Sequence, residues 1–408
     1  MINRPRYILL AIVVAQLLGT STWFAGNAIL PVLQVEWSLP NTAVAELTNS
    51  VQLGFIVGAL LFAFLALADR MSPRLLFFIC ALGTAFFNLQ IAFWAESLNQ
   101  VLLLRFFGGM MLAGVYPVGM KIATGWYPEG LGLALGYLVG ALALGTSSGH
   151  LFASFEFNDW QSVIYLTSGC SVVGGLLVLF WVPDGPALHK GGALRFRHLW
   201  VAMKHKPLQA SAGGYFGHMW ELYAVLALAP YWFIAWEQQH GVDLNIPFWS
   251  FYVIGIGGLG CMLGGHISIK SGSWRVARFM LFCSGVCCFL SPFVFELPFE
   301  AVVVFWTLWG LSVVADSPQF SALSARTAPK EVVGSALTMI NAIGFTITII
   351  ATQITAMLLD SVSIQWIMLL LAPGPVLGLL SLRRLKKIQP DIYCRLYSLL
   401  LIYPIFEG

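Results

Sequence analysis

ALADRMSPR (residues 66–74) and HISIKSGSW (residues 266–274) are two short polar turns, each carrying basic residues and each set between apolar runs. The runs beside the first cover about 45–68 and 74–95, and those beside the second about 248–268 and 276–296. A helix rises about 1.5 Å per residue, so roughly 20 residues cross the hydrocarbon core of a bilayer. Lipid offers no partner to a backbone N–H or C=O, which leaves helices and closed barrels as the only crossing structures. Barrel strands are about ten residues long with alternating polarity. These runs are twice that length and do not alternate, so each predicts a membrane helix.

The same pattern fills the chain. Of 408 residues, 59% are hydrophobic and 10% charged, with a mean hydropathy of +0.82. A soluble domain carries about a quarter charged residues, so the composition excludes one. Twelve spans are predicted, at about 7–33, 45–68, 74–95, 100–122, 131–154, 162–182, 209–236, 248–268, 276–296, 300–322, 333–358 and 365–382. The first is too long for the apolar core of a cleavable signal peptide, and no small-residue cleavage site follows it. Six of the seven cysteines fall inside spans and Cys394 in the tail, which argues against a disulfide framework. Cys283, Cys287 and Cys288 read as small apolar residues of a buried helix rather than as metal ligands.

Twelve crossings put both termini on one side. Twenty of the 21 basic residues then fall on that side, and the remaining one, Arg105, lies inside a span. Basic loops stay in the cytoplasm. The sequence therefore predicts a multi-pass protein of the inner (cytoplasmic) membrane with both termini cytoplasmic. The net charge of +3 reports this topology rather than a nucleic-acid surface. No G-x-x-x-x-G-K-[ST] loop is present, so nucleotide is not expected to drive the protein.

A shift of about 201 residues aligns the two halves. Gly109 and Pro117 match Gly310 and Pro318, Pro128 matches Pro329, and GLAL (132–135) matches GSAL (334–337) one residue out of register. The sequence divides into a six-helix bundle over 1–182, a basic cytoplasmic linker over 183–208, a second six-helix bundle over 209–384 and a cytoplasmic or interfacial tail over 385–408. Parallel repeats of this kind place a binding site near the midplane, where the halves meet.

With these features the chain resembles the major facilitator superfamily of secondary transporters over nearly its whole length. The family's loop G-x-x-x-D-R-x-G-R-R stands here as residues 65–74, with Asp69, Arg70 and Arg74 matching, both glycines replaced and Pro73 in place of an arginine. The second copy keeps Gly265 and Gly272 but has Ile269 in the acidic position. The resemblance implies an all-α fold of two pseudo-symmetric six-helix bundles. It also implies that Asp69, with Arg70 and Arg74, forms a conformational latch between the halves on the cytoplasmic side. Arg105 and Gly109 match the R-x-x-x-G of a motif tied to proton coupling. Gly136, Gly145 and Gly149 follow the spacing of the antiporter glycine motif, though His150 stands where its proline belongs; close helix packing explains them as well. GYFGHMWELYA (214–224) and VVADSPQFSAL (313–323) resemble stretches of a group of bacterial facilitators.

An ionisable side chain inside a span costs several kcal/mol and marks a functional site by default. Glu221 lies about 18 Å into the seventh span by helical rise, with His218 three residues earlier, and Asp316 lies about 10–15 Å into the tenth. The resemblance places spans one, four, seven and ten around the cavity, so His218, Glu221 and Asp316 are expected to face it together. A carboxylate exposed to alternate sides can carry protons, and His218 can relay them or tune its neighbour. The alternative is a buried hydrogen-bonded network that fixes helix packing. Arg105 is expected to pair with an acid, contact an anionic substrate or snorkel outward. Lys121 reads as a simple anchor at the basic surface. Trp23, Asn27, Tyr116, Tyr215, Trp220 and Gln319 are expected to line a cavity suited to a small organic ligand. The polar groups of the eleventh span, Asn341 and Gln353 among them, read as helix-to-helix hydrogen bonds.

The sequence thus points to a secondary active transporter of a small solute, proton-coupled and working by alternating access. It is not expected to be an enzyme, and no cofactor or resident metal is expected. The expected partners are a small-molecule or ion substrate, protons and the lipid bilayer. The competing readings are a cation or metal-ion transporter using the buried acids, a membrane metalloenzyme built on His218 and Glu221, and a sensor that binds without moving solute.

Overall fold

The apolar runs fold as helices, and no strand occurs among the described residues of this computed structural model, which are 7–127, 131–186, 188, 202, 204–329 and 332–388. Most of the predicted linker and nearly all of the tail, with Arg4, Arg6, Pro128, Lys190, Arg195, Arg197, Lys330, Cys394 and Arg395, lie outside them. Among the described residues ten helices are long and apolar enough to cross a membrane. The first span, in two pieces (Tyr7–Gly19 and Ala25–Glu36), and the fifth (Leu131–Ala153) complete twelve helical crossings. The seventh is a continuous helix, Lys206–His240, that begins inside the stretch assigned to the linker. The last crossing ends at Ile388.

Three other crossings are broken, and proline opens the second piece each time. The fourth runs as Leu98–Leu112 and Tyr116–Trp126, and the tenth as Phe299–Ala315 and Ser317–Thr327. Pro117 and Pro318 stand in the first turn of the second pieces, where a missing N–H costs nothing. The twelfth runs as Ile364–Leu369 and Pro373–Ile388. The first span breaks at Thr20–Phe24 with no proline to cause it.

The repeat has a packing basis. A Cβ on Gly109 would run into the Val51 carbonyl oxygen, and one on Gly310 would stand 2.5 Å from the Val253 carbonyl oxygen. The second and fourth spans (Ala43–Phe64 and Leu98–Trp126) therefore cross backbone to backbone, and the eighth (Ile246–Ser271) and tenth repeat that crossing in the other half. Between the halves, the fifth and eighth spans approach at Gly140 and Gly258, each within reach of the other's carbonyl. Large apolar side chains such as Phe86, Phe180, Phe279 and Phe293 point outward, as a surface in lipid requires.

The halves touch at the end opposite the basic loops. There Asn49 Nδ2 donates to Gln353 Oε1 at 3.1 Å, Thr348 Oγ1 to Gln52 Oε1 at 2.8 Å, Asn41 Nδ2 to Asp360 Oδ1 at 2.7 Å, and the Tyr231 hydroxyl to Gln34 Oε1 at 3.2 Å. These bonds carry out the helix-to-helix role expected of the eleventh span's Gln353 and Thr348. At the basic end a cavity opens between the halves, while the fifth and eighth spans stay in contact there at Gly136 and Gly265.

Candidate substrate cavity

The cavity has a volume of about 1600 Å³ and is lined from both halves. Its mouth carries the charged groups Asp69, Lys121 and Arg326. Deeper in, the wall is neutral. Tyr116 from the fourth span, Tyr215 and Tyr223 from the seventh, Gln319 from the tenth and Asn341 from the eleventh (Val333–Met357) reach it. None of these five side chains hydrogen-bonds to another described residue. Their hydroxyl and amide groups are therefore available to a solute. Phe24, Phe55 and Phe345 supply ring faces beside them.

An aromatic plug closes the inner end. Trp23 packs on Phe55 at 5.3 Å between ring centroids, on Tyr223 at 5.9 Å and on Phe345 at 6.1 Å, while Phe55 and Phe345 lie 4.9 Å apart. Four spans from both halves meet in it. The break in the first span places Trp23 and Phe24 here, and Arg105 holds that break. Its Nη1 donates to the Thr22 carbonyl at 2.6 Å and its Nη2 to the Trp23 carbonyl. The Thr22 carbonyl also accepts from Ala25 N at 3.2 Å, whereas the Trp23 carbonyl takes no backbone N–H among the described residues, so the guanidinium is its partner. Arg105 thus has no acid partner among the described residues and does not touch the cavity.

The buried acids sit inside the second half. His218 Nδ1 lies 2.9 Å from Asp316 Oδ1, and His218 Nε2 lies 2.7 Å from the Ser317 hydroxyl. Asp316 occupies the break in the tenth span. Glu221 turns instead to the ninth span (Ser273–Val294). Its Oε2 accepts from the Ser284 hydroxyl at 2.7 Å and faces the Cys288 thiol at 3.4 Å, while Trp309 Nε1 donates to Ser284 Oγ at 3.1 Å. His218, Glu221 and Asp316 are fully enclosed. The expectation that all three face one aqueous cavity is corrected in this conformation. A step of three residues turns a helix by about 300°, so His218 and Glu221 diverge by roughly 60° and meet different neighbours. Among the described residues no three metal-binding side chains converge.

Of the other expected cavity residues, Tyr116, Tyr215 and Gln319 line it. Trp23 belongs to the plug at its end. Asn27 is tied to Thr48 Oγ1 at 2.8 Å, within its own half. Trp220 is corrected outright: it points away, with Nε1 on the Leu370 carbonyl at 3.3 Å. Asn341, read as a helix-to-helix bonder, instead faces the cavity. Sequence reasoning passed over Ser317, although it stands beside Asp316 and ahead of a proline, which is the signal of a helix break. Asp69 pairs with Lys121 of its own half, so Lys121 is a partner rather than a bare anchor. Arg74 Nε stands 4.0 Å from Asp184, which also accepts from Ser72 Oγ, and Arg70 is exposed.

The sequence profile of the Major Facilitator Superfamily matches residues 12–352. A protein of Bacillus subtilis (strain 168), named provisionally as a niacin/nicotinamide transporter, is 28% identical over 182 residues, 43% of this chain and 44% of that one. The chain thus matches less than half the length of this relative. The nucleoside transporter NupG, solved as a mutant, has the same fold with a TM-score of 0.71 at 12% identity, covering 93% of this chain and 99% of that one. A bacterial homologue of the human lysosomal transporter Spinster, solved inward-facing and unoccupied, aligns with a TM-score of 0.66 at 13% identity, covering 97% of each chain. The family profile spans most of the chain and the paired-bundle helical fold agrees with it: the chain belongs to the Major Facilitator Superfamily.

Proposed function

We propose that the protein is a proton-coupled carrier of a small, uncharged, ring-bearing organic solute, working by alternating access between its two halves. The observation that carries this reading is the deep cavity wall, where rings and unpaired neutral hydrogen-bonding groups meet with no charged side chain among the described residues. A charged solute would lose its hydration there and find no counter-ion, at a cost of several kcal/mol. Nicotinamide and nucleosides, which appear in the names of the relative and of one structural neighbour, are ring-bearing solutes of this kind. Proton coupling is supported by two acids and a histidine enclosed in the second half, since an ionisable group inside a span marks a functional site by default. Transport of a cation or metal ion has less support, because those acids do not line the cavity. The Lys and Arg loops support a cytoplasmic basic end, and with it an inner-membrane protein with both termini inside.

A thermal-shift screen of the purified protein, followed by flux in proteoliposomes, tests this. Nicotinamide, adenosine, nicotinate and tetraphenylphosphonium are the probes. Neutral ring compounds are expected to raise Tm, with about 2.7 kcal/mol of stabilisation at a hundred times Kd. Labelled solute is then expected to accumulate under a pH gradient of one sign, and Asp316→Asn to abolish that accumulation. Stabilisation by the charged probes alone would overturn the substrate class. Accumulation indifferent to a gradient of either sign would overturn the coupling.

A further inference from the structure

We propose that the Ser317 hydroxyl is the proton relay between the cavity and the enclosed His218–Asp316 pair; this rests on the proton-coupled reading above. His218 and Asp316 have no exposed surface, whereas Ser317 is half-buried and lines the cavity. Tyr215 and Phe320 pack beside the His218 ring, at 6.0 and 5.8 Å between centroids. Its edges carry the remaining polar contacts: Nδ1 lies 2.9 Å from Asp316 Oδ1 and Nε2 lies 2.7 Å from Ser317 Oγ. Among the described residues Ser317 is the one cavity-lining side chain that shares a hydrogen bond with the pair.

The break in the tenth span fixes this arrangement. Asp316 ends the first piece and Ser317 opens the second, with Pro318 following. The hydroxyl is thus held on a helix start rather than on a mobile loop. The step balances simply. A hydronium ion in the cavity gives a proton to Ser317 Oγ while the original Oγ–H proton passes to His218 Nε2. Water leaves, the serine is again neutral, and the imidazolium that results keeps its Nδ1–H on Asp316. Reversal returns the proton to the cavity. Nε2 must accept beforehand, which the neutral imidazole satisfies when Nδ1 carries its proton toward the carboxylate. The other titratable groups around the pair are Glu221 and Tyr215 on the same helix, Cys261 on the eighth span and Cys288 on the ninth. No Lys or Arg among the described residues pairs with Asp316.

Time-resolved infrared spectroscopy of the purified full-length protein, with isotope-labelled histidine and a light-triggered pH jump, measures the relay directly. His218→Gln identifies the His218 band. Ser317→Ala is expected to slow imidazolium formation by about 10²-fold while leaving its final extent nearly unchanged. Ser317→Thr keeps the hydroxyl and is expected to match the wild type. If Ser317→Ala fails to fold, Ser317→Thr against Ser317→Val makes the same comparison at equal volume. Equal rates with and without the hydroxyl overturn the relay. A slow rate in Ser317→Ala from a wild-type protein whose solute flux ignores pH gradients upholds the relay and overturns the coupling instead.

Discussion

Arg105 answers two carbonyl oxygens, where an acid, an anionic solute or the membrane surface was the expectation. The reason that role is illegible in the sequence is that GTSTWF (19–24) holds no proline and reads as ordinary helix. A guanidinium from another span supplies the partner that the Trp23 carbonyl lacks in the backbone and a second one for Thr22. Each stranded buried acceptor costs about 1–3 kcal/mol. Arg105→Ala is therefore expected to lower stability by about 2–4 kcal/mol, and Arg105→Lys by about half as much, since one ammonium cannot span both oxygens as the planar fork does. Thermal unfolding of the purified variants checks the order wild type, lysine, alanine; alanine equal to wild type would remove Arg105 from this role. Glu221, Asp316 and His218 were legible as ionisable groups inside the membrane spans, because charged and titratable side chains are rare in an apolar run. Their directions were not, since roughly 60° of helix rotation separates one neighbour from another.

At the scale of the element, the glycines and prolines were the readable part. Gly109 and Pro117 with Gly310 and Pro318 announced a repeat. In the structure each glycine admits a neighbouring backbone, and each proline starts the second piece of a broken helix. The two glycines occupy equivalent crossings, so Gly109→Ala and Gly310→Ala are expected to destabilise by similar amounts, about 1–3 kcal/mol each. Denaturation of both variants tests this; a large loss from one and none from the other would mean the crossings are not equivalent. The span edges were less readable. The seventh helix runs 35 residues from Lys206 to His240, through polar ends that hydropathy alone assigns to loops. Trp220 was misplaced for a related reason. An aromatic suits a cavity wall and a helix seam equally well, and only its contact with Leu370 decides.

For the molecule as a whole, hydropathy and charge indicated twelve spans, and the internal repeat with the family resemblance indicated two six-helix bundles, but not which end would be open. That depends on contacts between halves some 300 residues apart, and the far end is held by neutral pairs such as Asn49 with Gln353. In a cysteine-free background, Asn49→Cys with Gln353→Cys is expected to cross-link under oxidation, to stop solute flux and to recover when reduced. Flux unaffected by complete cross-linking would rule out transport by parting of the halves at this end. The broken first span also bears on how the molecule is assembled. Arg105 is made more than eighty residues after Thr22 and Trp23, and until then their carbonyls have no guanidinium to meet them. Nor does the first piece, Tyr7–Gly19, have the length to cross a bilayer on its own. The first span therefore reaches its final shape only after the fourth has entered the membrane, so the native order of this half is set by its middle rather than by its beginning.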